Sequence, residues 1–268
     1  MLPARRIQSY RDAIMAPAVG LYAGILDGLR AVGNLLIPQL CVFCGTELAA
    51  APTFEPALCS ECRRQLAPPN APTCRRCGSP LPQYWGEIDR CPRCFDRKYR
   101  FDRTLTLGTY EGMLREAVLR MKHAEHEPLV HAMAGLLAAR ISAVGLAANT
   151  DLVVSTPMHW WRRLRRGVHP ARILASGVAR RLKLSFAPRL LRTGRSTKKQ
   201  GTLTPMQRFR NVRDAFDVAA GYDLAGKQIL LIDDVMTTGA TVNELARVLK
   251  KRGVGCIIVA VVARGIGR

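Results

Sequence analysis

Three short apolar runs in the second half of the chain have no polar interruption: Leu152 to Val154, Ile229 to Ile232 and Cys256 to Val262. Unbroken runs of this length mark strands buried on both faces of a parallel sheet. Between them the apolar residues return at helical spacing. Met113, Leu114, Ala117, Val118 and Met121 make one stripe along Tyr110 to Lys122, and Val242, Leu245, Ala246, Val248 and Leu249 make another ahead of Lys251. A further helix is predicted from about Glu127 to Ile141. Helices alternating with buried strands predict an α/β parallel-sheet domain over residues 100–268. Cys256, at the head of an apolar run, is expected to be a core side chain.

In such sheets ligands sit at the carboxyl ends of the strands, so the loops after Val154 and after Ile232 are expected to converge. The second of these reads Asp233-Asp234-Val-Met-Thr-Thr-Gly-Ala-Thr241 and runs into a predicted helix. A helix N-terminus presents unpaired N–H groups and a positive dipole end, and Gly239 lets the backbone approach an anion. Thr237, Thr238 and Thr241 add hydroxyls. Asp233 and Asp234 can accept from vicinal ribose hydroxyls and help hold Mg²⁺, which takes oxygen ligands. The order strand, acid pair, small-residue loop, helix therefore suits a sugar phosphate.

The first hundred residues have a different pattern. Basic Arg5, Arg6 and Arg11 precede a mostly apolar stretch, Ala13 to Leu26, which is too short to span a membrane and contains Pro17. Residues 1–40 are predicted to carry an amphipathic helix around Val19 to Leu36 and no integral membrane span. Residues 41–99 are rich in Pro and Ala and lack long apolar runs, so a metal is expected to supply much of their folding free energy. Eight of the nine cysteines fall in four Cys-x-x-Cys pairs. This is zinc spacing in a reducing compartment, with the cytoplasm as the default. The expected arrangement is two structural Zn²⁺, one on Cys41, Cys44, Cys59 and Cys62, the other on Cys74, Cys77, Cys91 and Cys94. Interleaved ligation, a redox role and an Fe–S cluster are the alternatives.

Lys and Arg total 41 against 20 Asp and Glu, a net charge of +21. A field of this size attracts polyanions, so nucleic acid and phosphate-rich small substrates are both candidate partners. The cations concentrate in two places. Arg162, Arg163, Arg165 and Arg166 follow the strand ending at Val154 and have the charge to hold pyrophosphate. Arg189 to Arg213 contains no acid and reads as a long loop, a lid whose Arg195, Lys198 and Lys199 can close over a leaving pyrophosphate. Trp160 and Trp161 fit either base stacking or a junction between domains. The five histidines support no metal or triad assignment.

Asp233 to Thr241 resembles the loop for phosphoribosyl pyrophosphate (PRPP) of the type I phosphoribosyltransferases. The whole chain resembles the ComF family, linked to natural competence and including its GntX-type members. The resemblance is carried by Leu35 to Gly45, by Tyr110-Glu-Gly112 through Met121-Lys122, by Pro157 to Gly167, by Gln200 and Asn211, and by the PRPP loop. It implies a type I phosphoribosyltransferase-like domain behind a double zinc ribbon. It further implies Mg²⁺·PRPP, or a ribose 5-phosphate compound, held by Asp233, Asp234 and the amides of Thr237, Thr238, Gly239, Ala240 and Thr241. Lys198 and Lys199 would act as catalytic cations. In one departure, Gly167-Val-His-Pro170 stands where the family reads Gly-Phe-Asn-Gln. Two amide side chains are lost at a helix start, though Pro170 suits a first helical position. Little sequence follows the final strand to form a base-recognition hood. The competing expectation is a module for single-stranded DNA and a competence helicase, or a metal-stabilised scaffold with a degenerate site.

Overall fold

The computed structural model describes residues 39–48, 57–68, 72–86, 88–159, 164, 167–194 and 204–266. The predicted N-terminal helix, Trp160, Trp161, Arg162, Arg163, Arg165, Arg166, Arg195, Lys198, Lys199 and Gln200 lie outside them. By compactness the chain divides into residues 1–59 and 60–268.

The larger unit is built on a four-stranded, wholly parallel sheet of β1 (Arg103–Thr109), β2 (Leu152–Ser155), β5 (Gln228–Met236) and β6 (Cys256–Arg264), in the order β1-β6-β5-β2. Strands β3 (Leu191–Thr193) and β4 (Phe216–Val218) form a separate antiparallel pair. Helices α1 (Ser60–Leu66), α2 (Gly112–Arg120), α3 (Glu127–Ala143), α4 (Pro170–Leu182), α5 (Pro205–Val212) and α6 (Ala240–Lys250) complete the order.

The apolar runs became β2, β5 and β6, the last two central, because both faces of the sheet are covered. Ile229, Leu231, Ile257, Val259 and Val261 pack with Val242, Leu245 and Leu249 of α6 in one cluster. The alternate residues Leu230, Ile232, Ile258 and Val262 are also buried, on the face reached by α3 and α4. A Leu or Ile fully buried in this way contributes about 1.5–3 kcal/mol relative to exposure. Gly177 of α4 lets the two helices on that face meet closely, since a Cβ there would lie 2.7 Å from Ala134 Cβ.

The helices predicted within residues 100–268 are present, with small shifts of boundary. On α2, Leu114, Ala117, Val118 and the following Met121 are buried. The strand carrying the acid pair is longer than its apolar run. Pairing with β6 continues through Asp233↔Val261 to Met236↔Arg264, so Asp233 and Asp234 sit in the last turn of a strand and not in the loop beyond it. Cys256 is only half-buried, at the mouth of β6 rather than inside the core. The predicted long basic loop, Arg189 to Arg213, is regular at both ends, where β3 and α5 lie. Thr204 and Gln207 start α5 with a reciprocal capping box that the basic composition concealed. At α4, Pro170 is the first helical residue as expected. The side chain of His169 accepts from Arg172 N at 3.3 Å, so histidine caps the helix at the point where the two amide side chains are lost.

Candidate functional site

The residue just past β2 meets the carboxyl end of β5. Thr156, just past β2, donates its backbone N–H to Ile232 O at 2.9 Å and its hydroxyl to Asp233 Oδ1 at 2.8 Å. Asp234 N donates to the same Oδ1 at 2.9 Å. Protein atoms crowd the Asp233 carboxyl although the residue as a whole keeps some exposed surface. Burial, and then the neighbouring Asp234 charge, push its pKa well above the usual carboxylate range, against the opposing Thr156 hydrogen bond. A raised carboxylate beside a second acid is a site that gains from a cation.

Past β5 the chain turns over Thr237, Thr238 and Gly239 into α6. Gly239 takes φ of 78°, a left-handed conformation, and a Cβ there would lie 3.2 Å from the Tyr99 ring. Every carbonyl of the turn is drawn back into the protein. Met236 O accepts from Gly265 N at 2.9 Å and from Arg264 Nη1 at 2.9 Å. Arg264 Nη1 also reaches Thr237 O. Thr238 O accepts from the Tyr99 hydroxyl at 3.1 Å, and Gly239 O from Asn243 N at 2.8 Å. With the carbonyls turned inward, the amides of Thr238 and Gly239 have no acceptor among the described residues. A shallow, open cleft lies here, lined by Asp233, Val235, Met236, Thr237, Gly239, Ala240, Thr241 and Val242. Amides without a partner at a helix N-terminus are groups that an anion can satisfy.

The described site residues predicted from sequence therefore share one strand end and one turn. The Thr238 hydroxyl accepts from Ala240 N at 3.3 Å and closes the turn. Four participants were not anticipated: Thr156, Tyr99, Arg208 and Arg264. Arg208 on α5 donates to Thr237 Oγ1 at 2.9 Å, bringing a cation to the cleft from the far end of the basic segment. The Ser-Thr-Pro step after β2 was a usable signal for Thr156. Nothing local in the sequence marks Tyr99 or Arg264.

The cysteines gather into two groups, Cys41/Cys44/Cys59/Cys62 and Cys74/Cys77/Cys91/Cys94, each with its sulfurs within 4.8 Å of one another. The pairing is sequential, not interleaved. Zinc bound to four thiolates at about 2.3 Å needs sulfurs about 3.8 Å apart. The contacts Cys44–Cys59 at 3.8 Å, Cys74–Cys94 at 3.6 Å, Cys77–Cys91 at 3.6 Å and Cys91–Cys94 at 3.8 Å meet that need. The repeat is also visible in the backbone. Gly45 N donates to Cys41 O at 2.9 Å and Gly78 N to Cys74 O at 2.8 Å, the same knuckle turn twice. In the second group the Cys74 thiol, with help from Ser79, holds Cys77 down to about 4, while the Cys77 hydrogen bond and burial push Cys74 up. All four second-group cysteines are buried and join the cluster under α6.

These observations agree with known proteins. The phosphoribosyl transferase domain family matches residues 126–268, and the double zinc ribbon domain matches residues 32–95. The chain belongs to the phosphoribosyl transferase domain family, in the ComF group that carries a double zinc ribbon ahead of that domain. Among its relatives, Competence protein F of Haemophilus influenzae is 28% identical over 80% of this chain and 92% of its own length. The DNA utilization protein YhgH of Escherichia coli K12 is 27% identical over 83% of this chain and 96% of its own. Competence protein ComFC of Bacillus subtilis is 24% identical over 80% and 90%. Among the described residues no helix is long and apolar enough to cross a membrane.

Proposed function

We propose that the cleft after β5 binds PRPP, or a related ribose 5-phosphate compound, as its Mg²⁺ complex. The observation that supports this most is the turn at 237–239, whose carbonyls are all withdrawn while the amides of Thr238 and Gly239 have no acceptor among the described residues, next to a cleft lined by Asp233. The 5-phosphate takes the amides of Thr238, Gly239 and Thr241, with that of Ala240 released from the Thr238 hydroxyl, and the ribose hydroxyls take Asp233 and Asp234. An all-oxygen donor set suits Mg²⁺, which when bound neutralises pyrophosphate charge. Arg162, Arg163, Arg165 and Arg166 hold the pyrophosphate, and Lys198 and Lys199 close over it. In pentosyl transfer the bond from C1′ to pyrophosphate breaks through an oxocarbenium-like state, and an acceptor nucleophile takes its place. Positioning and electrostatics then supply the rate, with no covalent enzyme intermediate.

In this reading residues 41–99 are a metal-held module in front of a ligand-binding domain over 100–268, following an N-terminal helix in 1–40, and the chain works in the cytoplasm. Its relatives are named for competence and DNA utilization, and the same service is proposed here. Calorimetry with PRPP and Mg²⁺ tests the central claim. Micromolar to sub-millimolar binding that vanishes in Asp233→Asn supports it, and no heat at millimolar PRPP refutes it.

A second reading concerns single-stranded DNA and a competence helicase as partner. Tyr84, Trp85 and Phe95 of the second ribbon are 85%, 41% and 67% exposed, in a segment that also carries Arg90, Arg93 and Arg97. Exposed rings among cations are what a base-stacking surface needs. Binding of a labelled oligonucleotide should weaken steeply with salt and fall in Trp85→Ala plus Phe95→Ala, while PRPP binding is kept. Salt-independent binding, or none, removes this reading.

A further inference from the structure

Arg264 is a buried cation, and among the described residues no carboxylate pairs with it. Its partners are main-chain carbonyls at two separate places. Nε donates to Cys77 O, in the knuckle of the second four-cysteine centre, at 2.7 Å. Nη1 donates to Met236 O at 2.9 Å and also reaches Thr237 O and Gly265 O. One planar guanidinium thus joins the zinc knuckle to the peptide planes that turn the phosphate loop. A second link runs parallel to it. Arg76, between Cys74 and Cys77, donates to Tyr99 O at 2.7 Å, and the Tyr99 hydroxyl reaches Thr238 O.

The packing around these links leaves little slack. A Cβ on Gly78, the residue after Cys77, would meet Thr104 Cγ2 at 2.8 Å and Arg264 Cδ at 3.8 Å, and its φ of 66° is left-handed. On the other side a Cβ on Gly265 would meet Thr237 Cγ2 at 2.8 Å. A buried guanidinium is costly unless its donors are met, so the knuckle carbonyl and the loop carbonyls are each needed by the same group. If the knuckle opens, Arg264 loses one anchor and the loop carbonyls lose a fixed donor.

From this we infer that Arg264 is a positioning residue for the phosphate loop, and that metal occupancy of the Cys74/Cys77/Cys91/Cys94 centre and phosphate affinity at Thr238 to Thr241 are linked through it. The inference rests on the proposed binding of a ribose phosphate and adds to it a coupling between two sites, which by linkage must act in both directions.

The test uses the full zinc-loaded chain and ribose 5-phosphate with Mg²⁺ as probe. In Arg264→Lys the charge stays but the planar fork that spans both carbonyl sets is lost. We expect two zinc ions per chain to be retained and the affinity for ribose 5-phosphate to drop about tenfold, equivalent to about 1.4 kcal/mol. The second arm measures the rate at which a chelator strips zinc. In the wild-type chain, saturating ribose 5-phosphate should slow the release of one of the two ions several-fold, and in Arg264→Lys it should not. Unchanged affinity in a folded Arg264→Lys overturns the inference. So does wild-type zinc release that ignores ribose 5-phosphate, a result that stands even if the variant does not fold. Absence of any ribose 5-phosphate or PRPP binding in the wild type instead overturns the proposed function, and the coupling with it.

Discussion

Replacing Asp233 by Asn separates folding from binding. The Thr156 hydroxyl at 2.8 Å and Asp234 N at 2.9 Å both donate to Oδ1, and the carboxyl also hydrogen-bonds the Asp234 side chain. An asparagine that places its carbonyl oxygen there keeps both, and only Oδ2 becomes NH₂. The pH dependence follows from the raised pKa of the native carboxyl. The unfolded chain loses this proton near pH 4, whereas the native state holds it to higher pH. The stability that the neutral acid contributes is therefore complete below pH 4 and is lost as pH rises through the native pKa. Across that window the wild type should lose stability relative to Asp233→Asn at up to about 1.4 kcal/mol per pH unit, levelling off above it. Urea unfolding of both proteins at half-unit steps from pH 4 to 8 gives the difference directly. We expect Asp233→Asn to gain on the wild type as pH rises, while Mg²⁺·PRPP binding disappears. A difference that stays flat across the range would refute the burial argument, and a variant that still binds PRPP would refute the assignment of Asp233.

Other outcomes follow from the same contacts. Glu244, buried on α6, accepts from Arg247 Nε at 2.9 Å, from Arg247 Nη2 at 2.6 Å and from Asp214 N at 2.8 Å, so Glu244→Ala should cost about 2–4 kcal/mol in urea unfolding. Because that network also clamps the turn after α5, the same variant should weaken ribose 5-phosphate binding by loosening Arg208. Gly239→Ala, at φ of 78° and 3.2 Å from the Tyr99 ring, should cost about 1 kcal/mol of stability but most of the ribose 5-phosphate affinity, read by calorimetry. Titration with a zinc chelator should release two ions per chain and remove the near-ultraviolet signal of Tyr99 and Phe101, whose stacked rings, 4.7 Å apart, adjoin the second centre.

Much of this was legible in the chain because it depends on local pattern. Double-sided burial wrote Ile229 to Ile232 and the β6 run as unbroken apolar segments. Zinc geometry wrote the cysteines as pairs three apart, and the anion turn needed a glycine at 239. Interactions across long sequence separations left no local mark. Arg264 looks like one more cation in a chain of net charge +21, and only its burial against Cys77, Met236 and Thr237 distinguishes it. Tyr99 likewise reads as a linker residue until its hydroxyl is seen on Thr238 O. The basic stretch from Arg189 to Arg213 hid β3 and α5 because a short edge strand and a helix of eight residues carry too few apolar positions to set a period.

The distance along the chain between Cys77 and Arg264 is 187 residues. Each zinc knuckle pair closes within a short stretch, so both centres can load before any strand of the parallel sheet is made. The guanidinium that ties the second centre to the phosphate turn arrives only with β6, after every other strand of the sheet. Nascent chains should therefore acquire metal early and ligand competence late, with completion of the sheet as the event that joins the two.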